Sequence, residues 1–190
     1  MPRLFTGLEI PPDVADELAF QRGGLFGARW IDPEFYHLTL RFIGDVDQRT
    51  AEEFFDELDR VRKPAFTATI EGLHAFGGDR PRALVAPARA NPALTALQAE
   101  HERAARRVGL APETRKYTPH VTLARLRNMS PEVVADHLST HALAKPLTFE
   151  VDRFILFSSR DSIGGGPYIE EASFDLVSPR PARPTELFAS

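Results

Sequence analysis

Two short stretches pair an imidazole with a hydroxyl at a spacing that a strand would turn into a site. Residues 36–43 read YHLTLRFI and residues 119–125 read PHVTLAR, so H-x-T-L occurs once in each half of a 190-residue chain. Side chains two apart on a strand share a face. His37, Thr39 and Arg41 then lie on one face of the first run, with Leu38, Leu40 and Phe42 on the other. In the second run His120 and Thr122 lie opposite Val121 and Leu123. One such strand needs no function, because half-buried strands alternate polar and apolar residues anyway. Two of them facing a common cleft would hold two imidazoles and two hydroxyls. Histidine titrates near neutrality, so one ring can accept a proton as general base while the other donates one as general acid. In-line attack on a phosphodiester needs that pair, and hydroxyls beside the rings suit the non-bridging oxygens as charge grows there.

Rival chemistries find less support. The chain has no cysteine, which removes thiol nucleophiles, disulfides and thiolate metal sites. Each histidine strand offers one imidazole and no carboxylate, and neither H-x-H nor HExxH spacing occurs, so neither a metal nor a cofactor is expected. The G-x-S-x-G elbow and the Gly-rich phosphate loops are also missing. The other histidines read as structural. His101 falls on the apolar side of a helix over 92–108, His74 ends a strand beside Phe76, and His137 and His141 are an i, i+4 pair that more often marks an ordinary helix face than zinc.

Hydrophobic residues make up 43% of the chain and charged residues 26%, the balance of a soluble globular protein of one domain or two small lobes. A net charge of −4 argues against a general nucleic-acid coat. Three basic runs, ERAARRVG, ETRKY and ARLRN, could each hold a few phosphates at a strand end or be plain solvated surface. The N-terminus lacks the apolar core of a signal peptide, and no apolar run is long enough to span a bilayer. A cytoplasmic monomer without a membrane partner is expected.

The elements that must position the two motifs follow from period and punctuation. RLFTGLEI reads as a strand, PPDVADELAFQRGGL as a helix closing near Gly23 and Gly24, and Asp32-Pro33 as a turn into the first histidine strand. Thr50 and Glu53 suggest a capping box for a helix with Ala51, Phe54, Phe55, Leu58 and Val61 on its apolar stripe. AFTATIEGLHAF and RALVAPA read as paired strands around GGDRP, followed by the helix at 92–108 and the second histidine strand. Ser130 and Pro131 open a short helix through about Leu143, and PLTFEVDRFILFSS and PYIEEASFDL close the chain as two strands around a Gly-rich turn. The order fits an α+β fold of mixed sheets in two related lobes with helices on the outer faces. One bilobal domain should occupy 1–178, with a Pro-rich tail over 179–190.

The pattern resembles the two-histidine phosphoesterase superfamily, and within it the RNA 2′,3′-cyclic phosphodiesterases, also called 2′-5′ RNA ligases. The likeness runs from RLFTGLEIPPDV through YHLTLRFIGDV, PHVTLARLR and FILFSS to GGGPYIEEASFDL. It implies a bilobal fold of mostly antiparallel sheet with a central cleft carrying both H-x-T motifs, and metal-independent hydrolysis of a 2′,3′-cyclic phosphate at an RNA 3′ end, leaving a 2′-phosphate. The reverse joining reaction, a small cyclic-nucleotide phosphodiesterase and a non-catalytic RNA-end binding module stay open. By position His37 matches the family's proton donor, His120 its proton acceptor, and Thr39 and Thr122 the phosphate-holding hydroxyls. Arg125 matches the arginine after the second motif, although strand parity sets it opposite His120 unless a bulge intervenes. Arg41, on the His37 face by parity, is a further candidate for a phosphate contact, and Tyr168 a candidate for stacking on the terminal base. The segment NMSPEVVADHLSTHALAKP adds a helix to the compact family pattern.

Overall fold

The computed structural model describes residues 3–159 and 166–177; most of the Gly-rich turn and the Pro-rich tail lie outside the described residues. Its first half runs β1 (Arg3–Glu9), α1 (Pro12–Ala19), β2 (Arg29–Trp30), a 3-10 turn (Pro33–Phe35), β3 (His37–Asp45), α2 (Gln48–Asp59), β4 (Phe66–Ile70), β5 (His74–Phe76) and β6 (Ala83–Pro87). The second half runs α3 (Pro92–Arg107), β7 (His120–Arg125), α4 (Pro131–Thr140), β8 (Leu147–Val151), β9 (Arg153–Ser159) and β10 (Tyr168–Asp175).

Seven strands lie in the order β10-β9-β1-β3-β7-β6-β5, with β2 added alongside β7, and β4 pairs with β8 as a separate ribbon. Every strand pairing is antiparallel. The two histidine strands are neighbours at the centre, joined by the ladder pair Leu38↔Val121. That seam divides the sheet into two lobes, β10-β9-β1-β3 and β7-β6-β5. Leu38, Leu40, Val121 and Leu123, the residues between the motif side chains, are buried in the core, as their alternation predicts. One main cluster joins α1, α2 and α3 to the back of the sheet through Leu18, Phe54, Leu58, Leu94 and Leu97. A smaller one, Leu25, Leu84, Ala124, Leu126 and Val134, lies behind β6 and β7 and takes in the added helix α4.

Four readings change in detail. The stretch 65–76 is not one strand: it breaks after Ile70, where Gly72 takes a φ of 74°, so that β4 pairs with β8 and β5 with β6. PLTFEVDRFILFSS breaks likewise, giving β8 to that ribbon and β9 to the main sheet. The cap of α2 is Asp47, whose carboxylate accepts from the Thr50 amide at 2.8 Å, because Thr50 sits a turn inside the helix end. The helix from Ser130 ends at Thr140, and no helix among the described residues is long and apolar enough to cross a membrane.

Candidate active site

The register of the central pair sets the site. Carried one residue either way from Leu38↔Val121, it places His37 across from Thr122 and Thr39 across from His120, all four on one face with the histidines diagonal. Each imidazole is anchored through the same atom. The Nδ1–H of His37 donates to the Phe35 carbonyl at 2.9 Å and that of His120 to the Thr118 carbonyl at 2.6 Å. A carbonyl only accepts, so Nδ1 holds the proton in both neutral rings and Nε2 is left for chemistry.

Two bulges decide which arginine joins them. In the β1–β3 ladder, Gly7 pairs with Thr39 and Thr6 with Arg41, so Leu40 is the extra residue and Arg41 turns to the back of the sheet. There its Nε donates to Glu102 at 2.6 Å and another guanidinium nitrogen to the Ala111 carbonyl at 2.6 Å, with both partners of the ion pair largely buried. The expectation that Arg41 contacts phosphate is therefore corrected: it fastens the 110–119 segment to β3. In the β6–β7 ladder, Val85 pairs with Thr122 but Leu84 with Ala124 and Ala83 with Arg125, so Leu123 is extra. Parity flips, and Arg125 returns to the face of His120 and Thr122. Its charge is felt by both histidines.

The two rings differ in surroundings. His37 packs against Phe5 at 4.8 Å, Tyr168 at 5.0 Å and Phe157 at 5.9 Å between ring centroids. Gly7 lets β1 approach this closely, since a Cβ there would meet the Leu38 carbonyl at 3.0 Å and the His37 ring at 3.6 Å. Burial lowers the His37 pKa to about 4; the Phe35 hydrogen bond works against that, and the nearby Arg125 and His120 add to it. His120 is also lowered, chiefly by burial and further by Arg125, against the pull of the Thr118 hydrogen bond. Phe76 meets the His120 ring edge-on at 4.7 Å and His74 meets Phe76 at 5.7 Å, which brings His74 to this face at second remove. Tyr168 stands in the wall beside His37, with its ring also edge-on to Phe5 and Phe35.

Residues not singled out from sequence complete the site. The Tyr117 hydroxyl donates to the Thr39 carbonyl at 3.1 Å, tying the approach to His120 onto the first motif. Its signal was the aromatic three residues before the second histidine, in YTPH. The expectation of a structural role holds for His101. His101 is fully buried and hydrogen-bonds Thr6 at 2.8 Å, with its pKa lowered by burial to about 3. His137 and His141 stack at 3.9 Å, and no group of three possible metal ligands occurs among the described residues.

Two histidines anchored alike on one face of a two-lobed antiparallel sheet define a two-histidine phosphoesterase. The chain belongs to the LigT-like phosphoesterase family, whose model matches it twice, over residues 8–86 and 84–168. It is similar to the RNA 2′,3′-cyclic phosphodiesterase of Aquifex aeolicus, 29% identical over 153 residues that cover 78% of this chain and 81% of that protein. The enzyme of that name from Aeropyrum pernix is 37% identical over 99 residues, 51% of this chain and 56% of that one. The crystal structure of Escherichia coli LigT complexed with 3′-AMP shares the fold with a TM-score of 0.77, at 21% identity, over 94% of this chain and 100% of that one.

Proposed function

We propose that this protein hydrolyses 2′,3′-cyclic phosphate at RNA 3′ ends to a 2′-phosphate, without a metal. The observation that carries the reading is the shared Nδ1 anchoring of His37 and His120, which leaves two Nε2 atoms on one face beside Arg125. His120 takes a proton from water as it attacks phosphorus, the P–O3′ bond breaks, and His37 delivers its proton to the departing O3′. These roles follow the family resemblance. Thr39, Thr122 and Arg125 hold the non-bridging oxygens as charge builds. Tyr168 and Phe157 supply the surface on which the terminal base rests, a contact worth about 1–3 kcal/mol. Because both imidazoles come from one chain, a monomer suffices, and the cytoplasm is where we place its RNA substrates.

In the free protein the low pKa of His37 keeps it neutral near pH 7. A bound phosphate anion stabilises the imidazolium, so substrate itself brings the donor proton into place. The test is a short RNA ending in 2′,3′-cyclic phosphate, incubated with chelator and followed by phosphorus NMR. A 2′-phosphate from the native protein, with turnover reduced about 10²- to 10⁴-fold in His37→Ala and in His120→Ala, is expected. Turnover that survives either substitution, or that the chelator abolishes, rules the mechanism out. Tight binding of the cyclic end without turnover would leave a binding module.

A further inference from the structure

Of the three basic runs in the sequence, two are mostly neutralised within the fold, with Arg106 and Lys116 alone of their cations in no ion pair among the described residues. In ERAARRVG, Arg103 pairs with Glu100 and Arg107 with Glu57, and in ETRKY Arg115 pairs with Glu113. ARLRN differs: Arg125 and Arg127 enter no ion pair among the described residues. Register sets Arg29 of β2 directly beside Arg125, on the same face. Beyond the end of β7, a hollow of about 390 Å³ is lined by Arg80, Arg82, Arg127 and Asn128, with Asp79 the one acid on its wall. Arg29, Arg80 and Arg82 are likewise in no ion pair among the described residues, whereas ten other arginines are paired with carboxylates. Five exposed, unneutralised guanidiniums at one end of a chain with net charge −4 form a local field that the net charge conceals.

We infer that Arg29, Arg127 and the Arg80/Arg82 hollow form a track for the RNA backbone upstream of the reacting end. The inference rests on the functional reading above and narrows its substrate class to oligonucleotides over cyclic mononucleotides. The track continues the active site: His120, Thr122 and Arg125 share a face of β7, and Arg127 follows Arg125 by two residues. From Thr122 to the end of β7 at Arg125 the strand covers at most about 10 Å, the reach of one or two nucleotides. The loop that presents Arg127 is held from behind. Leu126 is buried with Leu84, Ala124 and Val134 of α4, Met129 packs on the same cluster, and the Leu126 amide donates to the Arg82 carbonyl at 2.8 Å. The added helix thus anchors the loop that carries the track. Guanidiniums facing successive phosphates bind without reading sequence, and the affinity they supply falls with salt.

The experiment compares two substrates, adenosine 2′,3′-cyclic monophosphate and an eight-nucleotide RNA ending in 2′,3′-cyclic phosphate, with native protein and the Arg82→Ala/Arg127→Ala double variant. For the RNA, KM should rise about five- to tenfold, and the dependence of log(kcat/KM) on log salt should flatten by about 1.4. The mononucleotide should be turned over equally by both proteins, which also reports that the variant is folded. An equal KM rise on both substrates, or an unchanged salt slope, overturns the track. If native protein hydrolyses neither substrate, the functional reading fails separately. The track is then judged by salt-dependent anisotropy of the same RNA carrying a terminal 2′-phosphate, where equal affinity of native and variant, or displacement by poly-glutamate as readily as by RNA, overturns it.

Discussion

The two H-x-T motifs share their tetrapeptide pattern and ring anchoring and differ in almost everything around them. His37 sits in an aromatic box of Phe5, Phe157 and Tyr168, with its pKa lowered to about 4. His120 meets the ring of Phe76 and lies on the lobe whose Arg82 and Arg125, with Arg29 beside them, are in no ion pair among the described residues. One lobe therefore offers an aromatic wall beside its histidine and the other a cationic one. The bulges deepen the contrast. Each motif is followed by an arginine, and each strand inserts one residue between the threonine and that arginine. In β3 the insertion takes the arginine out of the cleft, and in β7 it brings the arginine in. A duplicated motif becomes an asymmetric site through two one-residue irregularities.

The largest test of that asymmetry removes the two arginines in turn. Arg125→Ala should lower kcat/KM about a hundredfold with the fold intact, the size of effect seen when one donor to a developing oxyanion is lost. Arg41→Ala should leave KM nearly unchanged but destabilise the protein by about 3 kcal/mol, because it strands Glu102 in a largely buried position. Urea unfolding and steady-state kinetics on both variants separate the two cases. A KM effect confined to Arg41→Ala would reverse the assignment.

The pH dependence sharpens the comparison between the rings. Both pKa values are lowered from 6.5, so the bell in kcat/KM should have its acid limb near 4 and its alkaline limb below 6.5, with kcat shifted upward because bound phosphate favours the imidazolium. Exchanging donor and acceptor leaves the shape of this bell unchanged, so its position reports environment alone. A kcat/KM bell centred at pH 7 or above would contradict the buried setting of His37. The same depression makes folding acid-sensitive. The unfolded chain binds these protons below pH 6.5 and the folded one does not, so stability is full above 6.5. It falls as pH drops toward about 4 for His37 and about 3 for His101, by about 1.4 kcal/mol per pH unit for each ring. A flat urea midpoint between pH 6.5 and 4.5 would refute it.

The smallest effect concerns the seam. Tyr117→Phe deletes the hydrogen bond to the Thr39 carbonyl and should cost about 1 kcal/mol of stability, with kcat lowered a few-fold and KM little changed. An unchanged kcat would mean that the Leu38↔Val121 pair alone holds the two strands in register.

The chemistry of this protein was legible because it rests on period-two alternation: His37 and Thr39, like His120 and Thr122, share a face in the sequence and in the fold. Helix α3 was equally plain, since its apolar stripe, including His101, is the stripe that is buried. What the alternation concealed was every place where it is interrupted. Nothing in LTLR or VTLAR announces a bulge, because an inserted residue is a property of the neighbouring strand's register. Arg41 was misplaced for that reason, and Arg125 stayed undecided. The partners of β4 and β8 were hidden in the same way, because Gly72 and the residue between Val151 and Arg153 break runs whose composition stays strand-like throughout. Tyr117 reads from sequence as a lead-in to a strand; only the fold brings its hydroxyl to the other motif.

The strand order carries one more consequence. The family model matches the chain in two successive stretches, yet neither lobe is made from one of them: β1 and β3 wait for β9 and β10, while β5 and β6 wait for β7. Arg3 finds its partner at Ser159, across most of the chain. Such distant pairings close late and make folding slow. On the ribosome, the aromatic surroundings of His37 stay incomplete until Phe157 and Tyr168 have emerged, long after the first motif itself.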